Sequence, residues 1–366
     1  MSEGDTASVS SSDPVRKPPA AKLPAGVGAA LLAAALFGAG TPLAKALMAG
    51  VEPWTLAGLL YLGSGIGLAL LRLVRRAPPA YLETGEWPWL AGAVLAGGVV
   101  GPVLLMFGLS AMPASGASLL LNAEGVFTAL LAWFAFKENF DRRIAIAMMT
   151  IVAGAVVLSW PGQARFGAVW PSLMVLGACL AWGVDNNLTR KVSLADATWV
   201  AMVKGLAAGS VNLAIALTLG ASLPAYGTLA IAAVLGFFAY GISLTLFVVA
   251  LRHLGTARTG AYFSVAPFFG AVLAVLFLGE AVTPTLVAAG ALMALGVWLH
   301  LSERHEHPHL HETLEHEHEH EHEEHHDHHG PHETPRMRHT HRHRHEPIRH
   351  SHAHFPDEHH RHAHGR

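Results

Sequence analysis

Three ionisable residues lie inside long apolar stretches of this 366-residue chain. Glu124 is near the centre of one stretch, and Asp185 and Lys204 lie in two others. A charged side chain at the depth of a lipid bilayer costs several kcal/mol, so such residues usually face a cavity or an opposite charge. Glu124 can bind and release a proton, as a proton-coupled carrier requires, or it is satisfied by a neighbouring helix. We predict that these residues line a path for a polar solute or an ion.

Amide side chains accompany these charges. Asp185-Asn186-Asn187 is the densest polar cluster, and because successive helical residues point about 100° apart, at most two of its side chains can face one cavity. Lys204 lies in its own stretch at a similar depth to Asp185, measured from the same side, which predicts an ion pair between them. The pair either acts as a gate or brace, or takes part in substrate binding. Tyr240 either contacts a ligand or packs in the core. The predicted path residues are Asn122, Glu124, Asp185, Asn186, Asn187, Lys204 and Asn212.

The carboxyl-terminal segment carries a second kind of chemistry. It contains 24 of the 26 His residues, which alternate with Glu and, further on, with Arg. Neutral imidazoles bind Zn, Cu, Ni and Co, and carboxylates widen the set of ligands. Metal affinity should fall as the pH drops through about 6.5, because protonated His cannot bind a metal. The predicted metal ligands are His305, His307, His316, His318, His320, His322, His325, His326, His350, His352 and His354.

Three roles are open for this segment, residues 303–366. It delivers metal to a metal carrier or regulates it, it buffers metal or protons beside an unrelated metabolite carrier, or it is a pH-sensitive polyelectrolyte that contacts lipid or a partner. Apolar residues are too few there to bury a core, so the composition predicts a disordered tail. The Ser- and Pro-rich residues 1–24 are likewise predicted to be a disordered arm.

The remainder of the chain consists of apolar runs long enough to cross about 30 Å of hydrocarbon, which takes about 20 helical residues. A soluble helical bundle would need polar faces, and runs such as 144–158 and 229–250 have none. The sequence therefore predicts an all-α integral membrane protein with ten transmembrane helices. The predicted spans are 25–47, 53–73, 88–109, 113–136, 143–160, 168–189, 197–219, 225–251, 257–278 and 282–302.

Basic residues alternate from one side of these spans to the other. Thirteen Lys and Arg residues fall on one side of the predicted membrane, and only Lys45 and Arg165 fall on the opposite side. Cytoplasmic loops carry an excess of Lys and Arg, so the side with thirteen is predicted to be cytoplasmic. We expect a multi-pass protein of the cytoplasmic (inner) membrane with both termini in the cytoplasm.

Two matches relate the first half of the apolar region to the second. Phe37-Gly38 lies over Trp182-Gly183, 145 positions later, and Gly154 lies over Gly296, 142 positions later. Each unit holds five spans, an odd number, so the second copy must be inverted relative to the first. Inverted repeats are typical of carriers that expose a central site to each side of the membrane in turn. The predicted units are 25–160 and 168–302.

These features resemble the EamA-type family of the drug/metabolite transporter superfamily. The resemblance depends on the paired dipeptides Phe37-Gly38 and Trp182-Gly183, and on the endings Phe136-Lys137-Glu138 and Leu278-Gly279-Glu280 of spans four and nine. It implies a secondary transporter, often an exporter, of small metabolites such as amino acids or nucleotide-related compounds. One departure is that Pro267 of the second copy corresponds to Gly125 in the first, with Glu124 just before it.

The predicted function is export of a small polar metabolite. The expected partners are the lipid bilayer and a small-molecule or ion substrate, without nucleic acid, and a homodimer is a further hypothesis. No nucleophile elbow, phosphate loop, HExxH or CxxC motif occurs, so an enzyme is not expected. No cofactor is expected to be required, although the tail could bind Ni, Co, Zn or Cu. The alternatives are a divalent transition-metal transporter and a membrane metal sensor that transports nothing.

Overall fold

A computed structural model describes residues 25–136, 142–160, 169–193, 195–301 and four short stretches of the tail. Every regular element described between residues 25 and 301 is helical. The α-helices are α1 Ala25–Leu47, α2 Pro53–Val74, α3 Trp87–Ala93, α4 Gly101–Ser110, α5 Ala114–Leu120, α6 Ala123–Phe136, α7 Arg142–Ser159, α8 Trp170–Arg190, α9 Ala197–Thr218, α10 Tyr226–Gly236, α11 Ser243–Phe263, α12 Ala266–Leu278 and α13 Pro284–Leu301.

Within the described part of the chain, six apolar segments are long enough to cross a membrane, as expected of a multi-pass membrane protein. Three further apolar helices are shorter, and α8 carries the polar cluster, so the count of ten spans stays a prediction. Large apolar side chains such as Phe134, Leu276 and Phe277 are exposed on the outer surface, where lipid would cover them. The six segments are Gly26–Leu47, Pro53–Val74, Trp87–Ser110, Ala114–Phe134, Ala197–Thr218 and Tyr226–Leu254.

Irregular features recur at one spacing in the two halves. A π-helical segment, Val94–Val100, joins α3 to α4, and a second, Phe237–Ile242, joins α10 to α11 and starts 143 positions later. The break at Leu121–Asn122 between α5 and α6 is followed, also 143 positions later, by the break at Ser264–Val265 between α11 and α12. The two halves therefore share one succession of helices, π segments and breaks.

The two breaks have different local causes. Pro267 lies at the start of α12, and because its ring excludes the carbonyl four residues earlier, α11 ends at Phe263. In the first half, Asn122 donates its side-chain amide to Leu119 O at 3.0 Å and competes with the helical hydrogen bond there. Residues 243–263 are all assigned to α11, yet the ring centroids of Phe247 and Phe263 lie 4.9 Å apart, whereas sixteen residues of straight helix would separate them by about 24 Å. The chain therefore reverses its direction between these two residues, as the predicted boundary between spans eight and nine requires.

Glycines allow the closest contacts between the halves. A methyl group at Gly65 would lie 2.4 Å from a backbone nitrogen of α9, so α2 and α9 pack backbone to backbone. Helices α7 and α13 pack in the same way, with Gly154 against Met293 and Gly296 against Ile151. Because the sequence aligns Gly154 with Gly296, these two contacts are equivalent when the halves are exchanged.

The helix bundle has two distinct ends. At the end we call the Arg72 end, Arg72 pairs with Asp196, and Arg252 donates to Ala195 O at 2.7 Å. A short turn joins α1 to α2, so the end of α1 lies at the opposite end of the bundle. There, at the Lys45 end, Lys45 Nζ donates to Leu109 O at 2.6 Å. Arg72 and Arg252 are two of the basic residues assigned to the cytoplasmic side, and Lys45 was assigned to the other.

The Lys45 end is tied together by a second contact. Glu280, just after α12, accepts from the backbone N–H groups of Ala114 and Ser115 at 2.7 and 2.8 Å. These groups begin α5, where a helix leaves its first N–H groups unpaired and favours a negative charge. Lys45 also donates to Met112 O at 3.1 Å, so the connection between α4 and α5 is held by α1 from one half and by Glu280 from the other.

Four short strands lie in the tail, where the composition predicts disorder. Strands β1 Glu306–Leu310 and β4 Arg349–Ala353 form one antiparallel pair, and β2 Leu314–His320 and β3 His339–His345 form another. In the second pair Glu315 lies opposite Arg344, and Glu317 opposite Arg342. Opposite charges directly across a ladder favour pairing. The alternation of Glu with His, and of Arg with His, accounts for this difference from the prediction.

Candidate functional site

A cavity of about 540 Å³ lies between the two halves. On α2, Pro53–Val74, the lining residue Ser64 lies near the middle of the helix, so the cavity lies near the middle of the bundle. A mostly apolar lining with a few polar groups is typical of small-molecule sites. The lining residues come from six α-helices and the second π segment: Phe37, Tyr61, Ser64, Glu124, Trp182, Asp185, Asn186, Gly205, Ala239, Tyr240, Ser243, Leu244, Phe247 and Phe263.

Asp185 and Lys204 form the ion pair expected from their positions. Lys204 Nζ lies 2.5 Å from Asp185 Oδ1, and the two side chains are 1% and 8% exposed. The Thr189 hydroxyl donates to Asp185 Oδ1 at 2.8 Å and accepts from Lys204 Nζ at 3.0 Å. A buried pair is stabilised only when further hydrogen bonds satisfy its remaining groups, and Thr189 supplies them. Asp185 therefore faces the cavity as a neutralised carboxylate.

Glu124 is held by amides and hydroxyls. Its Oε1 accepts from Asn186 Nδ2 at 2.8 Å, and the same amide lies 3.2 Å from Thr128 Oγ1. Glu124 lies in the first turn of α6, where the helix dipole favours a carboxylate. Among the described residues, no Lys or Arg pairs with Glu124. The second carboxylate of the cavity thus has hydrogen bonds without a compensating cation.

A second cavity of about 320 Å³ adjoins the first at Glu124. It lies between the two helix breaks and is lined by residues that include Leu121, Ser264 and Pro267. Both cavities share four lining residues, so these side chains form the wall between them. The shared residues are Phe37, Glu124, Asn186 and Phe263.

The first π segment supplies backbone acceptors at the cavity wall. Gly97 O accepts from the Tyr61 hydroxyl at 2.7 Å and from Trp182 Nε1 at 2.9 Å, and Gly98 O accepts from Asn212 Nδ2 at 3.0 Å. A π turn shifts the backbone pairing from four residues to five, and such turns are frequent at functional sites. Side chains from α2, α8 and α9 therefore converge on one short backbone stretch.

Gly97 also makes room for Asp185. A methyl group at Gly97 would lie 1.9 Å from Asp185 Oδ2, which no side chain could tolerate without displacing the carboxylate. When the halves are aligned, Gly97 corresponds to Tyr240, 143 positions later, and Asp185 corresponds to Gly40, 145 positions earlier. Gly40 in turn lies next to Tyr240. Both glycines belong to the first half and both larger side chains to the second, so each of the two contacts pairs a glycine with a larger side chain, a carboxylate in one case and an aromatic ring in the other.

The predicted path residues divide into two groups. Asp185, Asn186 and Glu124 line the central cavity, and Lys204 reaches it through Asp185. Asn187 points away from the cavity and donates to the backbone carbonyls of Thr128 and Gly183.

The remaining predicted asparagines, Asn122 and Asn212, are also absent from the cavity lining and donate to backbone carbonyls. Their Oδ1 atoms, like that of Asn187, find no hydrogen-bond partner in the described part of the chain.

Apart from Tyr240, the aromatic wall of the central cavity was not predicted from the sequence. Phe37 makes ring contacts with Trp182, Tyr240 and Phe263, at centroid distances of 5.6, 5.8 and 5.3 Å. The paired dipeptides that contain Phe37 and Trp182 were the available signal.

The predicted metal ligands are only partly described. His307 lies in β1, three lie in β2 and two in β4. No group of three or more His, Cys, Asp or Glu side chains that could hold a metal ion occurs among the described residues. Metal binding by the tail therefore stays a prediction. The three ligands in β2 are His316, His318 and His320, the two in β4 are His350 and His352, and His305, His322, His325, His326 and His354 lie outside the described residues.

Comparison with known proteins agrees with the two-part organisation. The model of the EamA-like transporter family matches residues 24–160 and again residues 169–302. The chain belongs to the EamA-like transporter family. Its family and its curated relatives are transporters, not enzymes.

Two relatives and one solved structure define the degree of similarity. An uncharacterized transporter of Methanothermobacter thermautotrophicus is 28% identical over 74% of this chain and 84% of its own length. A probable terminal-alkyne amino-acid exporter of Streptantibioticus cattleyicolor is 28% identical over 69% of this chain and 86% of its own length. A protein crystal structure is similar in fold, with a TM-score of 0.60 at 20% identity, and the match covers 75% of this chain and 94% of the other.

Proposed function

We propose that this protein is a secondary transporter that exports a small polar metabolite across the cytoplasmic membrane. The observation that carries the proposal is the central cavity, with two carboxylates in an otherwise largely aromatic and aliphatic wall. Such a wall can hold a solute with a small polar group and a larger apolar part. The similarity to an amino-acid exporter supports both the outward direction and a solute of this kind.

The proposed mechanism is alternating access by two inverted repeats of five spans. The recurrence of π segments and helix breaks 143 positions apart supports two equivalent units. The cavity lies near the middle of the bundle, with the contacts of Lys45 and Glu280 at one end and the Arg72–Asp196 ion pair at the other. In this scheme the Arg72 end and both termini are on the cytoplasmic side.

Within this scheme the polar residues have separate roles. Glu124 and Asn186 bind the solute or a coupling ion, because they form part of the wall between the two cavities. Asp185 and Lys204 brace α8 against α9, since their charges satisfy each other and Thr189. Asn187 and Asn212 anchor helices to backbone carbonyls and are positioning residues.

The tail is proposed to bind Ni, Co, Zn or Cu as a buffer beside the carrier. Its support is the density of His residues and the register of β2 and β3, which places His316 opposite His343 and His318 opposite His341. Transport of divalent metal is the competing function, and a sensor that transports nothing is a further alternative.

Uptake into proteoliposomes separates these functions. The full-length protein and a variant ending at residue 302 are prepared, each with and without the substitution Glu124→Gln. All four proteins are tested with Ni, Co, Zn and a panel of amino acids. We expect metabolite flux that survives removal of the tail and is lost in Glu124→Gln. Metal flux with that same pattern would overturn the proposal in favour of a metal carrier. Absence of all flux, with a metal response that needs the tail, would favour the sensor.

A further inference from the structure

The charges in the central cavity do not balance. Asp185 is neutralised by Lys204 at 2.5 Å, but Glu124 has no ion-pair partner among the described residues. A buried carboxylate is costly unless it is paired with a positive charge as well as hydrogen-bonded. The charge of Glu124 is therefore neutralised either by a proton or by a cation that enters the cavity, and the second case makes Glu124 a binding group for a cationic solute.

Among the residues that the structure describes, no cation of the cavity wall is free to bind an anionic solute. Lys204 is 1% exposed, and its Nζ is already bonded to Asp185 and Thr189. The other polar groups of the wall are neutral, and they include the hydroxyls of Ser64 and Tyr240. A carboxylate or phosphate placed in this cavity would meet Glu124 with nothing to offset the repulsion.

Aromatic rings surround the position where a cation would lie. Phe37 and Phe263 line both cavities together with Glu124, and their ring centroids are 5.3 Å apart. Trp182 and Tyr240 continue this wall, each in contact with Phe37. The faces of aromatic rings attract organic cations within about 6 Å, most strongly where water is excluded. A carboxylate beside several rings is suited to an ammonium group attached to an apolar body.

We infer that the solute carried by this protein bears a protonated amine, which Glu124 binds, on an apolar or aromatic body that contacts the rings of the cavity wall. This inference rests on the proposed transport function and narrows its substrate class. Asn186 is the positioning residue, because its amide fixes Glu124 Oε1 at 2.8 Å. A zwitterionic amino acid satisfies the requirement with its amine, and a plain carboxylic acid does not.

Equilibrium binding to the purified full-length protein tests the inference without requiring transport. The probe is radiolabelled 2-phenylethylamine, displaced by unlabelled 2-phenylethylamine, L-phenylalanine or 3-phenylpropionate, which have related skeletons and different charges. We expect the amine to displace the probe at a concentration at least tenfold lower than the acid, with the amino acid close to the amine. Equal displacement by the acid, or no saturable binding of the amine at millimolar concentration, would overturn the inference.

Variants then locate the site. Glu124→Gln should weaken amine binding at least tenfold, because it keeps the shape of the side chain and removes its charge. The matched control is Glu52→Gln, an exposed glutamate that precedes α2 and makes no capping hydrogen bond. Unchanged amine affinity in Glu124→Gln would overturn the assignment. The ligand comparison in the unaltered chain decides the question even where Glu124→Gln does not fold.

The outcomes also separate this inference from the proposed function. Flux of neutral or acidic solutes into proteoliposomes, together with no amine binding, would overturn the inference and leave the transporter proposal standing. Saturable amine binding that depends on Glu124, with no flux of any solute, would support the amine site and overturn transport.

Discussion

Removing the ammonium group of Lys204 tests the buried polar core most directly. Its Nζ lies 2.5 Å from Asp185 Oδ1 and 3.0 Å from Thr189 Oγ1, and its side chain is 1% exposed. Lys204→Met keeps the length of the side chain but leaves Asp185 as a buried charge without a cation. Breaking a buried ion pair by removing one partner costs about 3–5 kcal/mol. We expect Lys204→Met to lower the free energy of unfolding by about that amount.

A double variant separates the lost charge from lost packing. Asp185→Asn combined with Lys204→Met removes both charges, and most of the lost stability should return because a neutral amide is less costly to bury. The control is Arg72→Met, which breaks the ion pair with Asp196 at the end of the bundle, where one side chain is 39% exposed. Pairs exposed to solvent contribute about 0–1 kcal/mol, so this control should be nearly as stable as the parent.

The measurement is unfolding of the purified full-length chain in mixed micelles, followed by circular dichroism as SDS is added. Four proteins are compared with the parent. They are the single variants Lys204→Met and Asp185→Asn, the double variant that combines them, and the control Arg72→Met. The reasoning is refuted if the double variant is as unstable as Lys204→Met. In that case the charge left on Asp185 would not be the source of the loss.

Three further predictions concern the cavity and the tail. Gly97→Ala should cost about 1–3 kcal/mol of stability and reduce flux, because its methyl group would displace the Asp185 carboxylate, and a parent-like melting curve would contradict this. In a Cys179→Ala background, Ser64→Cys should react with a thiol reagent that cannot cross membranes, and bound solute should slow the reaction, because Ser64 lines the central cavity. A reaction rate that bound solute does not change would contradict the placement of the solute in this cavity. Full-length protein should bind Ni at pH 7.5 and release most of it by about pH 5.5, because that pH lies below the ordinary pKa of His, about 6.5. A chain ending at residue 302 should bind little Ni at either pH, and isothermal titration calorimetry measures both.

Spacing along a single helix was sufficient to predict part of the site. Asp185 and Asn186 line the cavity and Asn187 turns away, as the angle of 100° between successive residues requires. The pairing of Asp185 with Lys204 was also predictable, because two opposite charges at similar depth in apolar helices have few other partners. The first conclusion needs only the local geometry of one helix, and the second needs only the depth of each charge within its own helix.

Contacts that depend on how distant helices are rotated against each other could not be predicted. Glu124 and Asn186 are 62 positions apart, and nothing in either segment shows that they meet. The role of Gly97 is similar, since its missing side chain matters only because Asp185 packs against it. The break at Ser264–Val265 was open to prediction, because the consequence of Pro267 for the preceding turn is local.

The contacts at the Lys45 end have a consequence for how that end can open. Lys45 holds the carbonyls that end α4, and Glu280 holds the N–H groups that begin α5, so one short connection is gripped from both halves of the chain. Only the Glu280 contacts cross between the halves, because Lys45 and the connection both belong to the first half. Separation of the halves at this end therefore requires Glu280 to leave the N–H groups of α5, while Lys45 can keep the connection attached to α1.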